Sequence, residues 1–172
     1  YADLKKVVCD KFKRDNKLTY EPSQIVVSTG AKQSIANVCM VLLNPGDEVL
    51  LPAPYWVSYS AIATLAEAKS IIIPSSIETN FKITPEQLEA AITPNTKLIM
   101  FNSPNNPSGS IYTEDEYKAL ARVLENYPEI FILSDEIYEH INYGTPHFSF
   151  ARIASLYDRT ITVNGVAKAF AM

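Results

Sequence analysis

The stretch that decides the fold runs from Leu98 to Asp135. It opens on Leu98-Ile99-Met100-Phe101-Asn102 and closes on Ile130-Phe131-Ile132-Leu133-Ser134-Asp135. Between these two apolar runs, Thr113-Glu114-Asp115-Glu116 has the form of a capping box: Thr113 can cap a helix start and Glu116 can reach back to it. The helix that follows carries Tyr117, Leu120, Val123 and Leu124 on one face. Strands that are apolar throughout, rather than alternating, fit a parallel sheet covered on both faces. Strand–helix–strand succession predicts an α/β layered fold.

The same rhythm extends outward on both sides. Leu4, Val7, Val8 and Phe12 recur at helical spacing. Gln24-Ile25-Val26-Val27-Ser28 is short and β-branched and reads as a first strand. A helix from about Ala31 to Leu43 ends at Asn44-Pro45-Gly46, and Glu48-Val49-Leu50-Leu51 is the next strand. A helix from about Val57 to Ala66 leads to the strand Ser70-Ile71-Ile72-Ile73. Thr84-Pro85-Glu86-Gln87 is a second capping box, with proline in the first helical position. Thr160-Ile161-Thr162-Val163 is the last strand.

Composition bounds the function. The chain has 172 residues, enough for one domain with a full core. A net charge of -4 gives no support to non-specific nucleic-acid binding. No apolar run approaches the roughly 20 residues that span a bilayer. The first residues, Tyr1-Ala2-Asp3-Leu4-Lys5-Lys6, lack the order of a signal peptide, so a cytoplasmic location is expected. Cys9 and Cys39 fall inside helical patterns and read as buried thiols rather than a disulfide or a metal pair. His140 and His147 have no cysteine near them, and no metal site is expected.

In parallel sheets ligands bind beyond the carboxyl ends of the strands. After the first expected strand comes Ser28-Thr29-Gly30-Ala31-Lys32-Gln33, where a glycine before a helix frees backbone N–H groups for a phosphate, or serves only as a turn. After the next comes Pro52-Ala53-Pro54-Tyr55-Trp56, whose indole can stack on a flat ring or pack the loop onto the core. Asn102-Ser103-Pro104-Asn105-Asn106-Pro107-Ser108-Gly109 follows the central run. A cis Asn106–Pro107 bond there would aim the Asn106 amide inward. Then come Asp135, Glu136 and Tyr138. An acid after four apolar residues needs a partner, which a protonated pyridine nitrogen would supply; a helix N-cap is the plainer role. Glu136, Glu139 and His140 read as solvated or structural neighbours. Last comes Lys168, in Asn164-Gly165-Val166-Ala167-Lys168-Ala169-Phe170, where small and apolar neighbours would favour a neutral, nucleophilic amine. A phosphate cradle, a stacking ring, an amide donor, an acid with a phenol and a Schiff-base lysine together match a pyridoxal 5'-phosphate site.

These five loops, in this order and spacing, resemble the class I aminotransferases of the fold-type I pyridoxal phosphate enzymes, and most of all bacterial aspartate aminotransferases. The resemblance covers essentially the whole chain. It implies a three-layer α/β/α fold with a mainly parallel sheet. It implies that Lys168 forms the internal aldimine and moves a proton, that Asp135 pairs with the ring nitrogen, and that Tyr138 and Asn106 donate to the phenolic oxygen. Trp56 would stack on the ring, and the Gly30 turn with the N–H groups of Ala31 and Lys32 would hold the phosphate. Asn106, Trp56 and Lys32 would face substrate, Lys32 greeting a distal carboxylate. Amino acid and 2-oxo acid substrates, aspartate and 2-oxoglutarate first, and a homodimeric whole protein also follow from it.

Two positions depart from many relatives: Gly165 and Ala167 stand where those carry serine. The chain stops four residues after Lys168, so it is expected to be residues of a single partial domain, 1–172, the central part of the large domain. On that expectation the antiparallel seventh strand and the small domain lie outside it, the 24–28 strand has no neighbour, and the sheet is incomplete or rearranged and of low stability by itself. Two other readings remain open. The same cofactor supports a carbon–sulfur lyase or an aromatic, alanine or prephenate aminotransferase. The 172 residues alone could also be a catalytically incompetent fragment.

Overall fold

The computed structural model describes residues 1–172. Five strands form one parallel sheet: β1 (Glu48–Pro52), β2 (Lys69–Ile73), β3 (Thr96–Asn102), β4 (Phe131–Asp135) and β5 (Thr160–Val163). Their spatial order is β2-β1-β3-β4-β5. The five helices are α1 (Ala2–Lys11), α2 (Ala31–Leu42), α3 (Ser58–Leu65), α4 (Pro85–Ala91) and α5 (Glu114–Leu124). Both expected capping boxes form. The Thr84 hydroxyl accepts from the Gln87 N–H at 3.3 Å while the Gln87 side chain accepts from the Thr84 N–H at 2.9 Å. Thr113 and Glu116 do the same at the start of α5.

Neighbouring residues of a strand point to opposite faces, and both faces are covered. Leu50, Ile99, Phe101 and Ile132 pack against Leu88 of α4 and Tyr117 and Leu120 of α5. Val49, Leu51, Leu98, Met100 and Leu133 pack against Ile35 and Cys39 of α2 and Tyr59 and Ile62 of α3. Each fully buried leucine or isoleucine contributes on the order of 2 kcal/mol relative to exposure, so these two layers hold the sheet. The result is the α/β/α sandwich expected from the apolar strands.

One expected strand is corrected. Residues 24–28 do not join the sheet: Pro22–Gln24 form a short 3-10 turn, and Ile25 is extended but belongs to no ladder. Only Ile25 of this stretch is buried, while Val26 and Val27 are exposed. Its β-branched composition favours extended backbone, but a strand also needs a neighbour to hydrogen-bond with. The sheet therefore has five strands, and the 24–28 segment lies outside it without a strand neighbour, as expected.

The thiols are both free. Cys39 is buried, and burial pushes its thiol up to about 11, whereas Cys9 is only half-buried. No helix is long and apolar enough to cross a membrane. A π-helical turn, Phe12–Asn16, continues α1 and ends at Lys17 in the left-handed region; nothing in the hydrophobic spacing announced it.

Candidate active site

The pairing register brings the site together. Asn102 of β3 lies beside Asp135 of β4, and Asp135 lies beside Val163 of β5. The loops after these strands therefore leave from one edge. The chain reverses its direction of spread between β1 and β3, the crevice where parallel sheets bind ligands. The Asn105 amide crosses that crevice and donates to the Pro54 carbonyl at 3.2 Å.

Asp135 is 3% exposed. Its Oδ2 accepts from the Tyr59 hydroxyl at 2.6 Å and its Oδ1 from the Ile137 N–H at 3.2 Å, so it also serves the turn as a cap. Burial raises its carboxyl to about 6, against the lowering effect of these two hydrogen bonds. Tyr59, 1% exposed, is driven far above the ordinary phenol range by burial and by the Asp135 charge, so it stays a donor. Sequence reading gave Tyr59 no role; its spacing three residues after Trp56, on the first turn of α3, is the only signal that could have.

Asn102 is a second residue that sequence reading left without a role. Its buried amide accepts from the Asn106 N–H at 2.7 Å and donates to the Asp135 carbonyl at 2.9 Å. It thereby fixes the loop after β3 to the end of β4. The Asn106–Pro107 bond is cis, and the Asn106 amide reaches the Tyr138 hydroxyl at 3.5 Å. The Lys168 Nζ lies 5.8 Å from the Tyr138 ring centroid. Asn106, Tyr138 and Lys168 thus meet as expected, but Lys168 is exposed rather than enclosed by apolar neighbours.

Gly30 has φ +85 and forms the N-cap of α2, with nothing within 4 Å of where a side chain would start. The N–H groups of Ala31 and Lys32 have no backbone acceptor, which with the helix dipole makes an anion cradle. The Lys32 Nζ lies 5.0 Å above the Trp56 ring, and that ring meets Tyr59 edge-on at 5.5 Å. Trp56 packs on the core as well as bordering the site. At Gly165 a Cβ would sit 3.0 Å from the Ile137 Cδ1, so a serine there would require Ile137 to shift. Glu136 and Glu139 are buried and not solvated: Glu136 accepts from Ser134, Ser149 and the Phe150 N–H and pairs with His147 at 2.9 Å.

The geometry therefore offers a buried acid beside a phenol donor, an anion cradle, and an amine and two donors at the same sheet edge. The family model of aminotransferase classes I and II matches residues 1–172. The chain belongs to that family. Among similar proteins, the aspartate/prephenate aminotransferase of Cereibacter sphaeroides is 50% identical over 174 residues, covering 99% of this chain and 43% of its own length. The bifunctional aspartate aminotransferase and glutamate/aspartate-prephenate aminotransferase of Petunia hybrida is 46% identical over 99% of this chain and 36% of its own length. The crystal structure of the aspartate aminotransferase from Rhizobium meliloti superposes with a TM-score of 0.97 at 47% identity, covering 99% of this chain and 43% of that one. The chain thus spans less than half the length of these relatives.

Tyr59 supports a prediction. Tyr59→Phe keeps the ring packing but leaves Asp135 Oδ2 buried without its donor. A hydrogen bond to a charged group is worth about 1.5–3 kcal/mol, so folded-state stability at neutral pH is expected to fall by about that much. Denaturant unfolding of the complete protein checks this, and unchanged stability would mean that Tyr59 serves packing alone.

Proposed function

We propose that these residues form the cofactor-binding part of a pyridoxal phosphate-dependent aminotransferase that moves an amino group from aspartate, or a related amino acid, to 2-oxoglutarate. The observation that carries this is the buried Asp135 carboxylate, held by Tyr59 at the same sheet edge as Asn106, Tyr138 and Lys168. The donor set fits pyridoxal phosphate: an acid for a ring nitrogen, free N–H groups for a phosphate, two donors for a phenolic oxygen and a primary amine. That cofactor, when bound, supplies an aldehyde that an amine can capture and a ring that accepts electron density from the substrate α-carbon.

The chain's own residues then have separable tasks. Asp135, once ionised, holds a proton on the ring nitrogen. Tyr138 and Asn106 donate to the phenolic oxygen, and Asn106 also faces the substrate carboxylate. Ala31 and Lys32 bind the phosphate through their N–H groups, with Gly30 making the turn, and Trp56 stacks on the ring. Lys168 would be the amine that holds the cofactor through its aldehyde carbon, and it would carry a proton to and from the substrate α-carbon. Residues 1–172 act as one partial domain, the central part of the cofactor-binding large domain, in a whole protein that is a cytoplasmic homodimer. Prephenate is a further acceptor class, favoured by the names of the two relatives above.

Lys32 decides the preference for dicarboxylic substrates on this reading. Its ammonium lies on the open side of Trp56, where it can meet a distal carboxylate. Lys32→Met is expected to raise KM for aspartate and 2-oxoglutarate by roughly 10-fold and to leave KM for an aromatic donor within about twofold. The activity itself is tested by product analysis of the complete protein with aspartate and 2-oxoglutarate. Glutamate and oxaloacetate are expected. Pyruvate and ammonia from cystathionine, with no glutamate formed, would identify a carbon–sulfur lyase instead.

A further inference from the structure

We infer that Lys11, Asn16 and Glu139 form a positioning cluster that holds Tyr138 in place, making the turn after the first helix a support of the cofactor site. The inference deepens the proposed function and rests on its reading of Tyr138 as a donor to the cofactor.

The π-helical turn Phe12–Asn16 sets the geometry. Its hydrogen bonding runs from residue i to i+5, so residues five apart come to the same side. Lys11 and Asn16 are five apart, and the Lys11 ammonium donates to Asn16 Oδ1 at 2.7 Å. Both then reach one carboxylate more than 120 residues later in the chain: Lys11 pairs with Glu139 Oε1, and the Asn16 amide donates to Glu139 Oε2 at 2.6 Å. His140 Nε2 also lies 3.1 Å from Glu139 Oε1.

Glu139 is 7% exposed, a carboxylate with both oxygens engaged. A buried charge is costly without partners and strongly oriented by them. Burial alone would raise its pKa, but the Lys11 and Asn16 hydrogen bonds and the Lys11 charge prevail and hold the carboxyl below the ordinary range. Glu139 therefore stays ionised and fixed at neutral pH.

Tyr138 is the preceding residue and has little freedom to move separately. The Glu139 N–H donates to the Glu136 carbonyl at 3.0 Å, and the Ile141 N–H donates to the Tyr138 carbonyl at 2.8 Å. The next residue extends the effect: the His140 ring meets the Phe170 ring edge-on at 5.6 Å, two residues beyond Lys168. Three elements distant in sequence are thus joined at the residues around Tyr138. None of Lys11, Asn16 or Glu139 touches the reacting groups in this arrangement; they act through Tyr138.

The test is the pH titration of visible absorbance in the cofactor-loaded complete protein, compared across Tyr138→Phe, Glu139→Ala, Glu139→Gln and Asn16→Ala. A hydrogen bond to an ionised oxygen favours the ionised form, so losing the Tyr138 donor raises the titration midpoint. Glu139→Ala and Asn16→Ala are expected to raise it in the same direction, by about half a pH unit or more. Glu139→Gln keeps one acceptor oxygen for Lys11 but turns an NH2 toward the Asn16 amide, which is itself a donor, so its midpoint is expected to lie between those of the wild type and Glu139→Ala. A purely structural cluster would lower the melting temperature and leave the midpoint alone. The inference is overturned if Tyr138→Phe moves the midpoint while folded Asn16→Ala and Glu139→Ala do not. If Glu139→Ala does not fold, Asn16→Ala decides by itself. A midpoint unmoved in Tyr138→Phe overturns instead the underlying reading of Tyr138, and the inference with it.

Discussion

On the proposed reading, in which Lys168 bonds covalently to the reacting carbonyl, Lys168→Ala is expected to reduce turnover of aspartate by about 10⁵-fold or more, a loss that binding cannot compensate. The site contains a second primary amine, Lys32, and the structure separates the two. The Lys32 ammonium sits 5.0 Å above the Trp56 ring, whereas that of Lys168 sits 5.8 Å from the ring of Tyr138, whose hydroxyl the Asn106 amide reaches. Borohydride reduction of the cofactor-loaded complete protein should label the peptide bearing Lys168. Labelling of Lys32, or turnover retained in Lys168→Ala, would remove the assignment. Lys32→Met should still label at Lys168.

Asp135→Asn should produce two opposite effects. Turnover is expected to fall by roughly 10³- to 10⁴-fold, because a carboxamide cannot hold a proton on the ring nitrogen as an ionised acid does. Stability of the cofactor-free protein should move the other way above neutral pH. The Asp135 carboxyl titrates at about 6 in the folded protein against an ordinary value of 3.8. The folded state therefore keeps a proton there that the unfolded chain has already released. The stabilisation this gives is fully present below about pH 4 and is lost as pH rises through about 6; the gap corresponds to about 3 kcal/mol. Asparagine has no such titration. The cofactor-free variant should melt higher than the wild type at pH 8, with the difference shrinking or reversing near pH 4. A wild-type advantage at pH 8 would mean that the ionised acid is well stabilised without a cofactor.

The contrast between the two residues explains which parts of the molecule could be read in advance. The five sheet strands were legible because burial on both faces demands uninterrupted apolar runs, and β1, β3 and β4 each carry one. The helices α4 and α5 were legible because Thr84 and Thr113 carry their own termination chemistry within four residues. The 24–28 segment has the same composition as the sheet strands, but composition reports a preference for extended backbone and says nothing of whether a neighbour lies alongside. Lys168, Asp135, Tyr138, Asn106 and Trp56 stood out because each follows a strand or strand-like run. What could not be read was who meets whom. The bond from Tyr59 to Asp135 joins residues 76 apart, and the one from Asn16 to Glu139 joins residues 123 apart. Glu139 read as a solvated or structural neighbour, with no way to choose between the two, because its partners come from the other end of the chain. The π-helical turn leaves no mark in hydrophobic spacing because only its first and last residues, Phe12 and the polar Asn16, are buried.

All four strand pairings in the sheet are parallel. No two adjacent strands can then be joined by a hairpin, and every ladder must wait for a crossover of a dozen or more residues to close. Folding has no local nucleus within the sheet to build on, and chains of this kind acquire their order slowly. During synthesis the acid and the phenol leave the ribosome before the amine, because β4 precedes β5 and β5 precedes Lys168. The last strand has β4 as its sheet neighbour. Lys168 is thus delivered to a sheet edge whose Asp135, Tyr138 and Asn106 have already been made, so the order of synthesis is also the order in which these side chains come together.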